Sequence, residues 1–501
     1  MKSTRIIATI MMLISMLAHE TLNAQDTTFK LSDYKNPNYL YQTLYLNFGL
    51  NSGFTFNNNS NSEADSRNKT SSFSLNSGAG AMYSFYKNSP KIQAEKHISL
   101  YAGFGSSSYT NKRETIDFEY KSGSFSHAEN LYLFGLRRSY NEKKQYFEVN
   151  GTLSASYNGL SNHNKSMNSG TIDLEQESNQ KGLNLNLTGA FLVGTGRIEQ
   201  VQDARLAMFI LEDLQTLNRA NKVATDEDVL ALAREITLLK YKRFFDNRLR
   251  KIAEITAIDA FLQKNGISGT TDAAYFTSLN DNWDFANNPI RNSGKRLFTG
   301  LEANYGYLNK NTVNETIVPD NEPNEYNLNQ ANGGFYLVAG FNSEKPKSLT
   351  WQNSSSIKVG VGMQSWVETE KEPDNADETK YYLWTRPTVK LTADYGFGYY
   401  PNSRTWLTFN WWLISGWDKE MDGDTKDKKE DLQNNLYVYT GPKLNAYYYL
   451  SEKLRLSLTF NGVFNLEKTN YTYDVIEGNP ENLTNNRWNQ QISASLTYSL
   501  F

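Results

Sequence analysis

Residues 454–465 read LRLSLTFNGVFN, and the pattern of this stretch decides the fold. Apolar side chains stand at every second position from Leu454 to Phe460, and polar residues fill the positions between them. Because successive side chains of a β-strand point to opposite faces, this pattern gives one apolar face and one polar face. The same alternation recurs in three further stretches, at 147–157, 183–193 and 357–363. The sequence therefore predicts a protein built mainly of β-strands.

The connections between the predicted strands alternate in length. One set is short and turn-like, at 88–90, 141–143, 344–347, 401–403 and 450–452. The other set is long and polar, at 57–70, 111–126, 161–180, 310–330, 370–378, 418–433 and 474–486. Short turns on one side and long loops on the other are typical of bacterial outer-membrane β-barrels, whereas an immunoglobulin-like sandwich gives no reason for such parity. We predict an all-β transmembrane barrel of about 14 antiparallel strands, within a range of roughly 12 to 16.

The composition restricts the classes of function. The chain has no cysteine, which excludes disulfide scaffolds, thiolate zinc sites and cysteine nucleophiles. Its formal net charge of −3 gives no basic surface for nucleic acid, so no nucleic-acid partner is expected. Apolar residues make up only 39% of the chain, yet 13% is aromatic. This combination fits a barrel in which only one face of each strand meets lipid.

The first 24 residues predict a secretory signal peptide. Lys2 and Arg5 precede an apolar run from Ile6 to Ala18, and cleavage is expected after Ala24. The apolar run is about 13 residues long, fewer than the roughly 20 that a membrane-spanning helix needs. The remaining chain begins with a short periplasmic N-terminal segment at 25–38. The first half of the barrel follows at 39–194, a helical insertion at 197–292 and the second half of the barrel at 296–501.

The last ten residues, ISASLTYSLF, resemble the C-terminal strand of Gram-negative outer-membrane β-barrel proteins of the porin and transporter class. That resemblance implies an outer-membrane location, contact with outer-membrane lipid, and recognition of Phe501 by the barrel assembly machinery. Phe501 lies one position out of phase with Leu500, which departs from the usual pattern. The strand number resembles that of the long-chain fatty-acid transporters, but 25–38 is too short for the N-terminal plug of those proteins. The resemblance identifies a class and no single family.

Between the sixth and seventh predicted strands the apolar period changes from 2 to 3.6. One amphipathic helix is predicted from Val201 to Leu217. A second begins at a capping box of Thr225 and Asp228 and ends near residue 265, and a shorter helix is predicted near 272–279. Strand parity places this helical hairpin on the periplasmic side. An unbroken second helix would be roughly 55 Å long, so it would plug the lumen end-on, project into the periplasm as an arm, or break near 243–247.

Part of this insertion is a candidate contact surface. The apolar residues predicted to touch the barrel or a partner are Tyr241, Phe244, Phe245 and Leu249. Packing within the hairpin explains the same residues nearly as well.

No catalytic site, metal site or cofactor is predicted. The mature histidines, His97, His127 and His163, match no catalytic motif in spacing or context, so enzymatic activity is not expected. Residues 418–424 resemble the start of a calcium loop, but Lys429 stands where that loop requires a bidentate Glu.

The polar faces of the strands would set the chemistry of a pore. The charged residues predicted to line it are Glu148, Glu302, Lys358, Glu368, Lys390, Asp394, Lys443 and Arg455. Their mixed signs indicate no strong ion preference.

Two functions remain open. One is a porin-like channel or transporter for a small solute, with the insertion as plug or gate. The other is a structural or assembly protein that docks a periplasmic or membrane partner through the insertion. In both, the C-terminus and the insertion lie on the periplasmic side and the long loops are extracellular.

Overall fold

The computed structural model describes residues 29–61, 66–240, 247–285, 290–318, 323–371, 379–419, 422–425, 432–451, 454–472 and 482–498. In this part of the chain, fourteen long strands pair antiparallel in chain order within one sheet, and a short strand at Asp422–Thr425 pairs with the strand at Thr379–Tyr399. The strands are β1 Tyr39–Asn61, β2 Ser66–Asn88, β3 Ile92–Arg113, β4 Phe118–Tyr140, β5 Gln145–Asn168, β6 Thr171–Gln200, β7 Asn292–Val318, β8 Asn324–Pro346, β9 Trp351–Lys371, β10 Thr379–Tyr399, β11 Thr405–Lys419, β12 Asp422–Thr425, β13 Leu432–Tyr449, β14 Leu454–Thr472 and β15 Asn482–Tyr498. The predicted all-β class, the strand number and the helical insertion are confirmed.

The apolar faces of the strands join into a continuous exposed belt. Register neighbours in the belt, one from each of β7 to β10, are Leu301, Leu337, Val361 and Val389. All four side chains are exposed, and Leu337 is 61% exposed. An apolar surface that extends over many strands is suited to lipid and not to water.

The sheet is curled, and its polar face is on the inside. Tyr86 of β2 and Asp394 of β10 line one cavity of about 460 Å³, although their strands are eight positions apart in the sheet. In a flat sheet that separation would be about 38 Å. The architecture is therefore that of a transmembrane β-barrel, and β1 and β15 are the first and last strands of its sheet.

The strands are longer than the sequence pattern predicted. The predicted long loops that prove to be largely strand are 57–70, 161–180 and 310–330. At 111–126 the sequence allows either a loop or a strand extension, and the structure has strand on both sides of a short turn at Glu114–Ile116. In the β5–β6 hairpin the turn consists of Ser169 and Gly170, whose φ angles of 47° and 78° suit a two-residue type I′ turn. Polar pairs such as Lys165–Glu175, 3.1 Å apart, join the two strands below that turn. Because both faces are polar here, these segments lack the apolar alternation that identifies a strand.

The insertion between β6 and β7 holds four described helices: α1 Gln202–Thr216, α2 Asp226–Lys240, α3 Asn247–Lys264 and α4 Ala273–Phe285. The sequence predicted a two-helix hairpin followed by a shorter helix, and that shorter helix is confirmed as α4. A backbone bridge joins Ala220, ahead of α2, to Ser268, beyond α3. The two helices therefore run antiparallel, so the chain reverses between Lys240 and Asn247. The predicted break near 243–247 is confirmed, and the unbroken helix of roughly 55 Å is wrong. None of the described helices is long and apolar enough to cross a membrane.

The predicted signals at the helix ends are confirmed. The Thr225 backbone N–H donates to Asp228 Oδ2 at 2.9 Å, and the Asp228 N–H donates to Thr225 Oγ1 at 3.3 Å. This is the reciprocal bonding of a capping box. Gly266, with a φ of 65°, follows the end of α3 in the left-handed conformation that terminates helices.

Candidate functional site

The barrel opening at the end that carries the short turns is called the turn-side mouth. The paired strands β6 and β7 bend across this mouth. Gly196 and Gly294 form the bend, with φ angles of 92° and 130°. A side chain on either glycine would collide with the backbone of the opposite strand. Beyond the bend, the carbonyl of Ile198 accepts a hydrogen bond from Gln93 of β3 at 3.1 Å, and the carbonyl of Gln200 accepts one from Asn36 at 3.0 Å. The insertion therefore starts over the mouth and not beside it.

Arg197 fastens one end of the insertion to the barrel rim. Its guanidinium donates to the carbonyls of Pro90 and Ser89 and to Asn88 Oδ1, at 3.0, 2.9 and 2.9 Å. All three acceptors lie at the β2–β3 turn. Glu199, 2.7 Å from Arg197 Nε, balances the charge.

Arg291 fastens the other end of the insertion to a different part of the rim. It is 1% exposed and donates to the carbonyls of Ser348, Leu349 and Trp351 at the β8–β9 turn. Its guanidinium also lies 5.0 Å from the ring of Tyr400, after β10. Burial lowers the pKa of Arg291 to about 10, so it remains charged at neutral pH.

The four helices share one apolar core with the N-terminal strap, which we define as residues 29–36. The strap contributes Phe29, Leu31 and Tyr34 to that core. The Tyr34 hydroxyl donates to Thr237 Oγ1 at 2.6 Å, and Thr237 donates to Asp203 Oδ2 at 2.7 Å. We call the strap and the four helices together the helical bundle. The segment expected to be only a short periplasmic N-terminus is thus a structural part of the bundle.

The centre of the bundle contains a buried ion pair. Lys240 Nζ lies 2.6 Å from Asp203 Oδ1, and both side chains are almost fully buried. Asp203 thereby accepts from both Thr237 and Lys240, both on α2. A buried carboxylate with two donors keeps its charge compensated, and the network fixes the position of α1 against α2.

The bundle packs against the rim of the barrel. Every residue from Val201 to Leu211 is buried, so α1 is surrounded by protein over most of its length. Arg205 of α1 lies 5.6 Å from the ring of Tyr400, and burial lowers its pKa to about 9. Leu349, at the β8–β9 turn, packs against the core of the bundle. The bundle therefore rests on the rim at the β8–β9 turn and the end of β10, while the end of β6 that leads into it is held at the β2–β3 turn.

Above the bundle lies the polar interior of the barrel. The cavity of about 460 Å³ borders the bent β6–β7 ladder, and Glu95, Arg138, Glu344, Ser356 and Asp394 are among the residues that line it. It is lined by hydroxyls, amides and charges of both signs. Such a lining suits a hydrated polar solute and selects no charge sign.

A second, smaller cavity in the interior collects three of the predicted pore-lining residues. Glu148, Glu302 and Lys358 line this space of about 200 Å³. Lys358 Nζ is 2.8 Å from Glu302 Oε2. Arg138 Nε, on β4, lies 2.5 Å from Glu148 Oε2. The charges on this part of the wall are therefore largely paired with one another.

The other predicted pore-lining residues lie apart from that cavity. Asp394 lines the larger cavity, and Lys390 donates to the hydroxyl of Tyr336 at 2.7 Å. The remaining three occupy separate positions on the same polar face: Glu368 accepts from Gln330, Lys443 is the register partner of Asn461, and Arg455 lies 5.6 Å from the ring of Tyr447. That all eight line a conduit remains a prediction.

The sequence pattern missed several interior residues. Arg138 and Arg296 both lie beside Glu148, and an apolar cluster inside the barrel includes Leu192 and Val338. The two arginines occupy the same alternating positions as the predicted set, so strand parity alone could have identified them. The cluster could not be found in that way, because apolar residues on the polar face interrupt the alternation.

The predicted contact residues of the insertion are only partly within the described chain. Tyr241, Phe244 and Phe245 lie outside the described residues, and Leu249 lies in α3 with its side chain outside the description. His97, His127 and His163 each pair with a glutamate in the barrel. Over the part of the chain that the structure describes, no three His, Asp or Glu side chains are grouped to hold a metal ion.

Comparison with known proteins does not assign a family. No family profile matches the sequence, and no curated protein matches it. Among solved structures, the chain is similar to the translocator domain of the autotransporter NalP from Neisseria meningitidis, with 11% identity, 90% of this chain and 98% of that chain covered, and a TM-score of 0.23. It is also similar to the transport unit of the autotransporter AIDA-I from Escherichia coli, with 10% identity, coverage of 99% and 97%, and a TM-score of 0.18. Scores this low assign neither partner nor activity.

Proposed function

We propose that this chain is an outer-membrane barrel that conducts a small polar solute, and that the helical bundle is the plug of its periplasmic mouth. The observation that carries the proposal is that the insertion is attached to the rim at two separate places, one at each end. Arg197, near the end of β6, bonds to the β2–β3 turn just before the bundle begins, and Arg291, just after the bundle, bonds to the β8–β9 turn. A plug must be held at more than one side of a mouth to close it, whereas a projecting arm needs one base.

The interior supports the same function. A polar cavity of about 460 Å³ lies directly inside the bent ladder, and its charges are mixed in sign. A solute entering from the outer side would meet mostly polar groups, beside the one apolar cluster at Leu192 and Val338, until it reached the bundle. Opening then requires the bundle, or part of it, to leave the rim.

Single-channel conductance in planar bilayers tests the plug. The deletion variant lacks 201–291 and joins Gln200 to Asn292 through an Asn-Gly turn, because these two residues are already register partners. We expect the full chain to be closed or to open rarely, and the deletion variant to show stable open steps. A folded deletion barrel that stays silent would contradict the proposal.

A pair of point variants refines that measurement. Arg291→Gln leaves several carbonyls at the β8–β9 turn without their donor, so openings should become more frequent. The matched control is Arg219→Gln, which removes a pair with Asp272 inside the bundle, 2.7 Å apart, and leaves the rim contacts in place, so it should change openings little. Equal effects of the two substitutions would show that Arg291 has no special role in closure.

Docking of a periplasmic or membrane partner is the second candidate function. It is favoured by apolar side chains that the bundle leaves exposed, with Val223 at 71% and Ile252 at 61%. If both the full chain and the deletion variant are silent, crosslinking from engineered cysteines at these two positions would identify what they touch. The absence of native cysteine makes such labelling specific.

The orientation is part of the proposal. The turns, the bundle and the C-terminus are placed in the periplasm, and the long polar hairpins outside the cell. The assembly machinery is placed at Phe501, which lies outside the described residues. A single cysteine at Gly170 should react with an impermeant maleimide on intact cells, whereas one at Val223 should react only after the outer membrane is opened. The reverse labelling would invert the orientation.

A further inference from the structure

Three cations lie on the outer face of the barrel at its turn-side end. They are Lys87 of β2, Lys96 of β3 and Arg137 of β4, and all three are exposed. Each occupies the same alternating face as the exposed apolar residues of its strand, such as Ile98 two positions beyond Lys96. They therefore point toward the surroundings of the barrel and not into its lumen.

The sheet register brings these cations together. Lys87 and Arg137 are both register partners of Ala94, so their Cα atoms are about 10 Å apart on either side of a small residue. Lys96 lies one row above, diagonal to both, at about 7–8 Å. Lysine and arginine side chains are long enough to reach one ligand from these three positions. We call these three residues the basic patch.

No described residue accepts a hydrogen bond or forms an ion pair with any of the three side chains; Lys96 Nζ does lie 5.5 Å from the ring of Phe85. The outward neighbours in the same row are Leu40 and Val149, which offer no charge. Cations inside the barrel are treated differently, since Arg138 on the opposite face of β4 lies 2.5 Å from Glu148. The protein compensates Arg138 with its own carboxylate but provides none for the basic patch.

A cation facing the edge of a hydrocarbon layer is unfavourable unless an anion lies beside it. The basic patch is at the edge of the apolar belt, where the headgroups of the turn-side leaflet would lie. We propose that the basic patch binds the phosphate of an anionic phospholipid, with the acyl chains lying along the belt above it. The proposal depends on the barrel being in a bilayer and is independent of conduction and of the plug.

The small residues between the cations support a bound headgroup. Gly135 of β4, the register partner of Lys96, has open space where a side chain would project, and Ala94 projects only a methyl group. Together they leave a shallow depression among the three cations. A phosphate seated there can approach the wall more closely than one resting on large side chains.

Native mass spectrometry of the full chain, released from detergent, tests this binding. The lipids added are phosphatidylglycerol and, for comparison, phosphatidylcholine, whose net charge is zero. The patch variant carries Lys87→Gln, Lys96→Gln and Arg137→Gln. The control variant carries Lys143→Gln, Lys345→Gln and Lys347→Gln, three exposed cations at the same end of the barrel, so that both variants lose the same charge.

We expect retention of phosphatidylglycerol by the parent and by the control variant, and roughly tenfold or greater weakening in the patch variant, since each cation near an anionic headgroup contributes about 1 kcal/mol. If phosphatidylglycerol binding weakens equally in both variants, the effect is one of overall charge, and the proposed site is overturned. Equal retention of phosphatidylcholine by the parent would also overturn it. Displacement of the lipid by millimolar inorganic phosphate would assign the patch to free phosphate instead. Heat-modifiable electrophoretic mobility verifies that both variants are folded barrels.

Discussion

The helical bundle and the barrel wall place their apolar side chains in opposite directions. In the bundle, Leu232 and Ile236 of α2 are completely buried, and polar residues face outward. In the wall, Leu337 and Val361 are more than half exposed, and polar residues face the lumen. The two regions obey the same rule with different solvents, since the bundle excludes water from its own core and the wall presents its apolar atoms to lipid. The comparison predicts that the same type of substitution, such as Leu→Ala, changes stability by different amounts in the bundle and in the wall.

The largest expected effect is in the core of the bundle. Leu232→Ala should lower the free energy of unfolding of the bundle by about 2–5 kcal/mol, because it removes apolar contact and leaves a cavity. Leu337→Ala in the wall should lower barrel stability by less, roughly 1–2 kcal/mol, because lipid chains can fill the space. Urea titration in lipid vesicles, followed by bundle proteolysis and by electrophoretic mobility, measures the two separately. Equal losses at the two sites would remove the distinction between the regions.

The next effect concerns charge on the two faces of the wall. Leu337→Arg should destabilise the barrel in vesicles by roughly 2–4 kcal/mol, because the substituted side chain faces the hydrocarbon layer. Asn304→Arg places the same group on the inner face of β7 and should change stability little. Folding yield into vesicles gives the measurement. A comparable loss for Asn304→Arg would show that the lumen is as dry as the lipid side.

Much of the wall could be predicted from the sequence, because the difference between lipid and lumen is repeated at every second residue. The ends of the strands could not be predicted from the sequence, because the hairpin around Lys165 and Glu175 is polar on both faces. The bundle was predicted as helices from its period, but its tertiary structure depends on contacts that leave no local pattern. Tyr34 illustrates this: nothing near it in sequence indicates that its hydroxyl bonds to Thr237.

A smaller effect is expected at the start of α2. Thr225→Ala removes one half of the capping box and should destabilise the bundle by about 1 kcal/mol, without altering the barrel. Protease sensitivity of the insertion in the folded protein, compared with the heat-modifiable mobility of the barrel, separates the two responses. A parallel loss of barrel mobility would mean that the two regions unfold as one unit.

The smallest expected effect depends on pH. The Arg219 guanidinium, 2.7 Å from Asp272, and the N–H of Tyr275 at the start of α4 hold the pKa of the Asp272 carboxyl at about 2. A depressed carboxyl pKa stabilises the bundle above the ordinary pKa of Asp, and the contribution is lost as pH falls through the folded value. Asp272→Asn should therefore weaken the bundle slightly at pH 7 and make no difference near pH 2. Proteolysis at neutral pH and circular dichroism across the acid range follow this; a difference that persists in acid would assign the effect to the cap and not to the charge.

The attachment of the N-terminal strap to α2 has a consequence for the order of folding. Tyr34 and Thr237 are separated by 203 positions, and the loop they close contains β1 to β6. Contacts across such long loops form late, because closing the loop costs chain entropy before it yields any stabilisation. The first six strands are therefore held between two points of one bundle, and completing its core brings the start of β1 and the end of β6 to the same mouth. An insertion expressed without the strap would lack part of its core, so the bundle is completed only when the chain before β1 and the chain after β6 have come together.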